Sequence, residues 1–198
     1  MNNLKKFTYQ PHQNEAVNNI INEFKVFDRT QLISACGTGK TIIAKKVSFE
    51  IVKKFDSALI IVFLPTLTLV NQFNQVWKNK HPDIYYNNEP YIFCSDKKTV
   101  TKSQKDISGI DKTKLNCFLK NTDIKFKIIL TTYQSSKTLC NFIKYTNSSI
   151  DFGIFDEAHK TVGLREKEFA YALYDNNIYI KKRLFMTATR IEEKDSQY

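Results

Sequence analysis

The residues best suited to chemistry form a short glycine-containing loop, Ser34-Ala35-Cys36-Gly37-Thr38-Gly39-Lys40-Thr41. An apolar strand pattern precedes the loop and a helical pattern follows it, which is the context that a phosphate-binding loop requires. Glycines at two positions let successive backbone N–H groups converge on phosphate oxygens, and the following helix adds its positive dipole end. The spacing predicts that Ala35 through Thr41 bind a nucleotide. Lys40 would neutralise the β- and γ-phosphates, and the Thr41 hydroxyl would ligate Mg²⁺.

An acidic pair follows a second apolar run, at Asp156-Glu157-Ala158-His159. Ligands of parallel α/β sheets bind beyond the carboxyl ends of the strands, so an Asp placed there is well sited to hold a metal ion. The pattern predicts that Asp156 holds Mg²⁺ through water. It also predicts that Glu157 orients and deprotonates an attacking water molecule.

Six apolar runs alternate with helical patterns along the chain and must position these two motifs. The predicted strands are 31–34, 58–64, 91–94, 127–131, 150–155 and 183–186, and the predicted helices are 13–24, 41–55, 66–79, 136–145 and 166–174. This alternation predicts an α/β fold with a mainly parallel, doubly wound sheet, in one domain spanning 1–198. Residues 95–114 are polar and are predicted to form a long loop.

Composition bounds the possible partners. The 198 residues carry a net charge of +10, which favours an anionic partner such as nucleic acid, although a basic surface without a partner is the alternative. Half of that excess lies in 91–130, which holds nine Lys and four Asp. This stretch is interpreted either as a nucleic-acid-facing flap or as a solvated insertion.

The four scattered cysteines argue against a zinc site and a disulfide framework, and for a reducing, intracellular compartment. No apolar run approaches the roughly 18 residues of a membrane-spanning helix, so no membrane partner is expected.

With these motifs in hand, the chain resembles the first RecA-like domain of a superfamily 2 helicase or translocase of DEAH-box type. Further segments resemble the family's motifs in the family's order: Pro11-His12-Gln13, Phe63-Leu64-Pro65-Thr66-Leu67, Thr131-Thr132-Tyr133-Gln134-Ser135 and Thr187-Ala188-Thr189. The resemblance implies a P-loop NTPase that uses ATP and Mg²⁺. It also implies that Gln13, or alternatively Gln10, reads the adenine edge.

The same resemblance assigns the remaining candidate residues. Pro65, Thr66, Thr132 and Tyr133 would contact nucleic acid, whereas His159, Thr187, Ala188 and Thr189 would couple the nucleotide site to that contact. Judged from the residues alone, the threonines could equally be strand ends and helix caps, and Tyr133 could stack on a base or pack inside the protein.

Several phrases are similar to the helicase segments of single-chain restriction-modification enzymes and of large DNA viruses and plasmids: ACGTGKT, FCSD, TTYQSS, FDEAHKTVG and KRLFMTATR. This similarity favours DNA over RNA. The chain departs from the family's pattern at Leu67, where an Arg is common, and at Arg190, where a Pro is common.

The resemblance also implies a second RecA-like domain, in a longer chain or in another protein, that closes over the nucleotide and supplies arginines. No arginine of the 198 residues has a context that predicts this role, so weak hydrolysis is expected from the chain alone. Two other functions stay open. One is a nucleic-acid-binding or packaging module that kept the fold without hydrolysis, and the other is a different P-loop NTPase such as a small kinase.

Overall fold

A computed structural model describes residues 8–78, 89–94, 111–158 and 170–188, and it shows an α/β fold. A six-stranded sheet has the order β1-β6-β5-β2-β4-β3, and every pair of neighbouring strands is parallel. The strands are β1 (Arg29–Ile33), β2 (Ala58–Leu64), β3 (Tyr91–Phe93), β4 (Phe126–Thr132), β5 (Ile150–Asp156) and β6 (Ile180–Thr187). The helices are α1 (Pro11–Glu23), α2 (Lys40–Val52), α3 (Leu67–Lys78), α4 (Lys112–Lys120) and α5 (Tyr133–Tyr145).

The sheet is covered on both faces, which confirms the doubly wound prediction. All seven residues of β2 and all seven of β5 are buried, as expected for central strands of a parallel sheet. One core cluster joins alternate strand residues to α1, α2 and α3, for example through Val47 and Phe73. The other joins the opposite strand faces to α4 and α5, for example through Leu115 and Ile143.

The strand register brings the ends of five strands to one edge of the sheet, named here the carboxyl edge. Ile33 at the end of β1 pairs with Thr187 at the end of β6. Asp156 at the end of β5 pairs with the residue before Thr187. Leu64 at the end of β2 pairs with Thr132 at the end of β4. Because the predicted motifs directly follow these ends, or include them, the topology places them along one edge.

Several predicted element ends need correction. Strands β1 and β6 begin two and three residues earlier than predicted, and α5 begins at Tyr133 rather than at residue 136. Helix α2 ends at Val52 rather than Phe55, whose ring is exposed. The predicted loop 95–114 ends too late, because α4 begins at Lys112, and residues 95–110 lie outside the described part of the chain. The predicted helix 166–174 is also wrong where it is described, because Tyr171–Leu173 forms a short 3-10 helix.

Helix α4 was missed for a physical reason. Its first three residues, 112–114, belong to the polar stretch, and only Leu115 is fully buried, although Phe118 and Leu119 pack against the core while partly exposed. Its start is fixed instead by Asp111, whose carboxylate accepts hydrogen bonds from the N–H groups of Thr113 and Lys114, each at 3.0 Å. No described helix combines the length and the apolar character needed to span a membrane.

Candidate active site

The loop between β1 and α2 has the backbone conformation of a phosphate cradle. Gly37 (φ 82°) and Gly39 (φ 89°) both lie in the left-handed region, which costs glycine almost nothing. Gly39 is the N-cap of α2, and its carbonyl accepts from the N–H groups of Ile42 and Ile43 at 2.9 and 3.0 Å. A Cβ placed on Gly37 would meet no atom within 4 Å, so this side of the loop faces open space.

Side chains of the loop bond to its own backbone and to one another. The Lys40 ammonium donates to the carbonyl oxygens of Ser34 (2.9 Å) and Ala35 (3.3 Å). Thr38 Oγ1 donates to the Ala35 carbonyl at 2.7 Å and lies 2.6 Å from Ser34 Oγ. Ser34 occupies the position where stricter phosphate loops carry glycine, and its hydroxyl takes part in this network. The Lys40 ammonium is therefore held at the loop by two carbonyl acceptors, and the oxygens of a bound anion could take their place as acceptors.

Helix α1 packs against the same loop through the residue predicted to read adenine. Gln13 accepts from the backbone N–H of Gln10 through Oε1 (3.0 Å) and donates through Nε2 to the carbonyl of Thr38 (3.1 Å). A Cβ on Gly39 would overlap Gln13 Nε2, so the glycine allows this close approach. The alternative reader, Gln10, is the exposed N-cap of α1.

His12 is a loop contact that the sequence analysis did not identify. Its Nε2 lies 3.2 Å from the same Thr38 carbonyl that Gln13 contacts. The sequence feature that could have indicated this contact is the position of His12 directly before Gln13, at the start of a predicted helix, because neighbouring side chains there can reach the same loop.

The acidic pair lies at the carboxyl edge, where Asp156 is the last residue of β5 and Glu157 follows it. The Asp156 side chain belongs to a residue only 4% exposed, whereas Glu157 is half-buried. Glu157 has φ 51°, and Asn147 is the one other non-glycine residue with positive φ in the part of the chain that the structure describes. Such a conformation costs about 1 kcal/mol or more and is concentrated at functional sites.

Strand β6 links the phosphate loop to the acidic motif. It lies between β1 and β5, and the carbonyl of Thr187 at its end accepts a 3.0 Å hydrogen bond from the N–H of Ser34. The Thr187 side chain is fully buried, and Ala188 follows at half exposure. His159 and Thr189, the other residues assigned to coupling, lie outside the described residues.

The predicted nucleic-acid contacts divide into two kinds. Thr66 is exposed at the carboxyl edge, and its Oγ1 also accepts from the N–H of Leu69 (3.3 Å) at the start of α3. Pro65 beside it is half-buried. Thr132 is nearly buried and donates through Oγ1 to Ser135 Oγ (3.1 Å). Of the residues Pro65, Thr66 and Thr132, only Thr66 has an exposed side chain.

Tyr133 requires a correction. Its residue exposure is 1%, so its ring cannot stack on a base, and the packing alternative holds. The ring lies parallel to that of Phe63, with centroids 6.5 Å apart, and its hydroxyl donates to the carbonyl of Asp156 at 2.8 Å. The sequence gives no hint of this bond because the acceptor is a backbone atom.

Two arginines in the described part of the chain are structural. Arg29 and Arg183 both pair with Asp175, at 3.0 and 2.6 Å. Arg183 is 2% exposed and also donates to the carbonyls of Ile178 and Ile180. Both guanidiniums of the described arginines are thus engaged in contacts within the protein.

Comparisons with known proteins place this chain in a family. The model described as "Type III restriction enzyme, res subunit" matches residues 6–192. No curated protein sequence matches the chain.

Solved structures add similar folds. A nuclease-deletion mutant of the Type ISP restriction-modification enzyme LlaGI with a DNA substrate mimic is 26% identical (TM-score 0.71, 96% of this chain, 19% of that one). The ATP-dependent Type ISP enzyme LlaBIII bound to DNA is also 26% identical (TM-score 0.76, 93% and 13%). The Hef helicase domain of Pyrococcus furiosus shares the fold at 19% identity (TM-score 0.58, 90% and 34%). This chain thus spans less than a fifth of the two Type ISP enzymes.

Proposed function

Because the chain belongs to the family of Type III restriction enzyme res subunits, we propose that it is the ATP-binding, first RecA-like domain of a DEAH-type superfamily 2 motor. Such a domain couples ATP hydrolysis to translocation on nucleic acid or to its unwinding. The observation that carries the proposal is the shared edge. The loop after β1 and the acidic pair after β5 flank β6, whose Thr187 carbonyl bonds to Ser34 of the loop.

The nucleotide would lie against the phosphate loop. Open space beside Gly37 and the N-terminus of α2 suit a polyphosphate. Lys40 would exchange the carbonyls of Ser34 and Ala35 for phosphate oxygens, which are stronger partners for an ammonium because they are charged. Gln13 already lies beside Gly39, so an adenine ring near α1 would be within reach of its amide.

Mg²⁺ would be held by Thr41 and Asp156. A hydroxyl and a carboxylate are the hard oxygen donors that Mg²⁺ prefers, together with phosphate oxygens and water. The described residues contain no cluster of three or more His, Cys, Asp or Glu side chains that could hold a metal, so phosphate oxygens would have to complete the set. When bound, the ion would neutralise charge on the phosphates. Glu157, turned by its positive φ, would take the proton of the attacking water.

Nucleic acid would run along the ends of β2 and β4. Thr66 and the backbone N–H groups near Pro65 and Thr132 can contact phosphates, and such contacts position a strand without reading its sequence. DNA is favoured over RNA because the two 26% identical neighbours are described with DNA. A second RecA-like domain, in the full-length protein or in a partner, would close over the nucleotide and supply arginine.

Equilibrium binding of a fluorescent, non-hydrolysable Mg²⁺–ATP analogue tests this proposal. Lys40→Ala should weaken binding by at least tenfold, equivalent to about 1.4 kcal/mol, because the phosphates lose their main cation. Glu157→Gln should bind within about twofold of the unaltered chain, because Glu157 acts on water. Lys46→Ala is the matched control, since Lys46 lies on α2 but pairs with Glu50 at 3.2 Å.

Two results would contradict the assigned roles: equal binding by the Lys40 variant, or loss of binding in the Glu157 variant. DNA binding measured by anisotropy separates the rival function. An affinity for DNA that is identical with and without the nucleotide would favour a passive nucleic-acid-binding module.

A further inference from the structure

Tyr133 makes a buried contact that the proposed function does not use. It is the first residue of α5 and directly follows Thr132, the last residue of β4. Its hydroxyl donates a 2.8 Å hydrogen bond to the carbonyl oxygen of Asp156 across the carboxyl edge. That carbonyl belongs to the peptide bond that joins the predicted metal-binding residue to the predicted water-activating residue, Glu157.

The peptide bond that Tyr133 contacts leads into a strained residue. Glu157 has φ 51°, and unlike glycine or asparagine a glutamate rarely adopts the left-handed region. Strained conformations persist only where surrounding contacts fix them. The bond from Tyr133 fixes the direction of the Asp156 carbonyl, and the orientation of that peptide plane sets where the Glu157 side chain begins.

The same tyrosine is packed into a row of aromatic rings that crosses the sheet. Tyr133 lies parallel to Phe63 of β2 at 6.5 Å, Phe63 stacks on Phe155 of β5 at 4.7 Å, and Phe155 stacks on Phe185 of β6 at 5.1 Å. Phe63 is two residues before Pro65, where β2 meets the predicted nucleic-acid contact. Close-packed rings do not deform freely, so a shift at the ends of β2 or β4 would reach Tyr133 through this row.

We propose that Tyr133 is a positioning residue, which holds the Asp156–Glu157 peptide bond in place and thereby couples nucleic acid at the ends of β2 and β4 to the nucleotide site. This inference rests on the proposed function. Tyr133 itself does not contact nucleic acid. Its buried hydroxyl connects the ends of β2 and β4 to the Asp156–Glu157 peptide bond.

The test compares nucleotide affinity with and without nucleic acid. The dissociation constant of the fluorescent Mg²⁺–ATP analogue is measured with and without a saturating short duplex DNA, and the ratio of the two constants is the coupling. The variant is Tyr133→Phe, which keeps the ring against Phe63 and removes the hydroxyl. The matched control is Tyr91→Phe, because Tyr91 also donates from its hydroxyl to a backbone carbonyl, that of Asp111 at 3.0 Å.

We expect a coupling of about fivefold or more in the unaltered chain and in the Tyr91 variant, within the usual range for linked sites. In Tyr133→Phe the coupling should fall to about one, whatever the affinity without DNA. A residue that only stabilised the fold would not change this ratio. A normal ratio in Tyr133→Phe, or a ratio of one in the unaltered chain, would overturn the inference.

A second measurement needs no variant and covers the case in which Tyr133→Phe fails to fold. Amide hydrogen exchange is followed in peptides spanning 150–158 of the unaltered chain, with and without the duplex. Slower exchange at 156–158 on addition of DNA is expected, and unchanged exchange in a chain that binds the DNA would overturn the inference. If the unaltered chain binds neither nucleotide nor DNA, the proposed function fails instead, so the two failures are distinguishable.

Discussion

At the residue scale, one amide connects the first helix to the phosphate loop. Gln13 bonds to the N–H of Gln10 and to the carbonyl of Thr38, and it approaches Gly39 so closely that a side chain there would displace it. Gly37 has the same left-handed backbone but open space around it. Replacing Gly37 would therefore test backbone strain alone, whereas replacing Gly39 would also disturb the contact with Gln13.

This difference predicts unequal costs for two similar substitutions. Gly37→Ala should lower the free energy of unfolding by about 1 kcal/mol, the cost of a left-handed alanine. Gly39→Ala should cost about 1 kcal/mol more, because the bond from Gln13 to Thr38 is also lost. Urea unfolding measures both values.

Gln13→Ala provides the control for this comparison. In that background the extra cost of Gly39→Ala should disappear, because the displaced amide is already gone. Equal costs for the two glycine substitutions in the unaltered chain would show that Gln13 does not bear on the loop.

The phosphate loop and the acidic pair could be predicted from residue types, whereas two of the contacts around them could not. The loop and the acidic pair were predictable because glycine, lysine and carboxylates at strand ends have few other uses together. His12 and the Tyr133 hydroxyl were not predictable, because both meet backbone carbonyls, 26 and 23 positions away. Every residue has a carbonyl, so such an acceptor leaves no mark in the sequence.

At the scale of elements, a buried lysine joins α2 to α3. Lys45 is 4% exposed, and its ammonium donates to the carbonyls of Val76 (3.1 Å) and Trp77 (3.2 Å) near the end of α3. Burial lowers the pKa of Lys45 from 10.5 to about 8. A neutral amine still has two hydrogens to donate, so both contacts can survive deprotonation.

The lowered pKa predicts a dependence of stability on pH. Between pH 8 and 10.5 the unfolded chain keeps the Lys45 proton and the folded chain loses it. Unfolding then takes up a proton, so the unaltered chain should gain stability relative to Lys45→Met as the pH rises, by at most about 1.4 kcal/mol per unit. Below pH 8 the difference between the two should be constant.

Chemical unfolding of both proteins from pH 7 to 10 makes this measurement. Lys46→Met is the control, since Lys46 is the neighbouring lysine on α2 but pairs with Glu50 rather than with α3. A flat difference between the unaltered chain and Lys45→Met across this range would mean that Lys45 titrates normally.

The elements themselves were predictable to different degrees. Strands β2 and β5 are continuous apolar runs, and their predicted ranges match to within one residue. Helix α4 was missed because its first residues, 112–114, are polar and its apolar positions Leu115, Phe118 and Leu119 cover little more than one turn. Helix α5 starts three residues earlier than predicted, because the buried Tyr133, Ser135 and Ser136 form its first turn.

At the scale of the whole molecule, the residues proposed to bind the nucleotide lie along one edge of the sheet. The two described arginines, Arg29 and Arg183, pair with Asp175. An arginine finger typically contributes 10³- to 10⁵-fold in rate. If the proposed function holds, a second domain would have to supply that arginine.

This arrangement predicts slow turnover. The 198-residue chain with saturating Mg²⁺–ATP and duplex DNA should hydrolyse ATP at well below about 1 s⁻¹. Release of labelled phosphate measures the rate, and Glu157→Gln sets the background. A DNA-stimulated rate above about 1 s⁻¹ would show that this chain completes the site without a second domain.

A crystal structure of the chain with Mg²⁺ and a non-hydrolysable ATP analogue tests whether the loop after β1 binds the phosphates of ATP. Phosphate density is expected within hydrogen-bonding distance of the backbone N–H groups of residues 37–40. Lys40 Nζ should have moved from the carbonyls of Ser34 and Ala35 to the phosphates. A nucleotide bound elsewhere, with Lys40 still on those two carbonyls, would show that this loop is not the phosphate site.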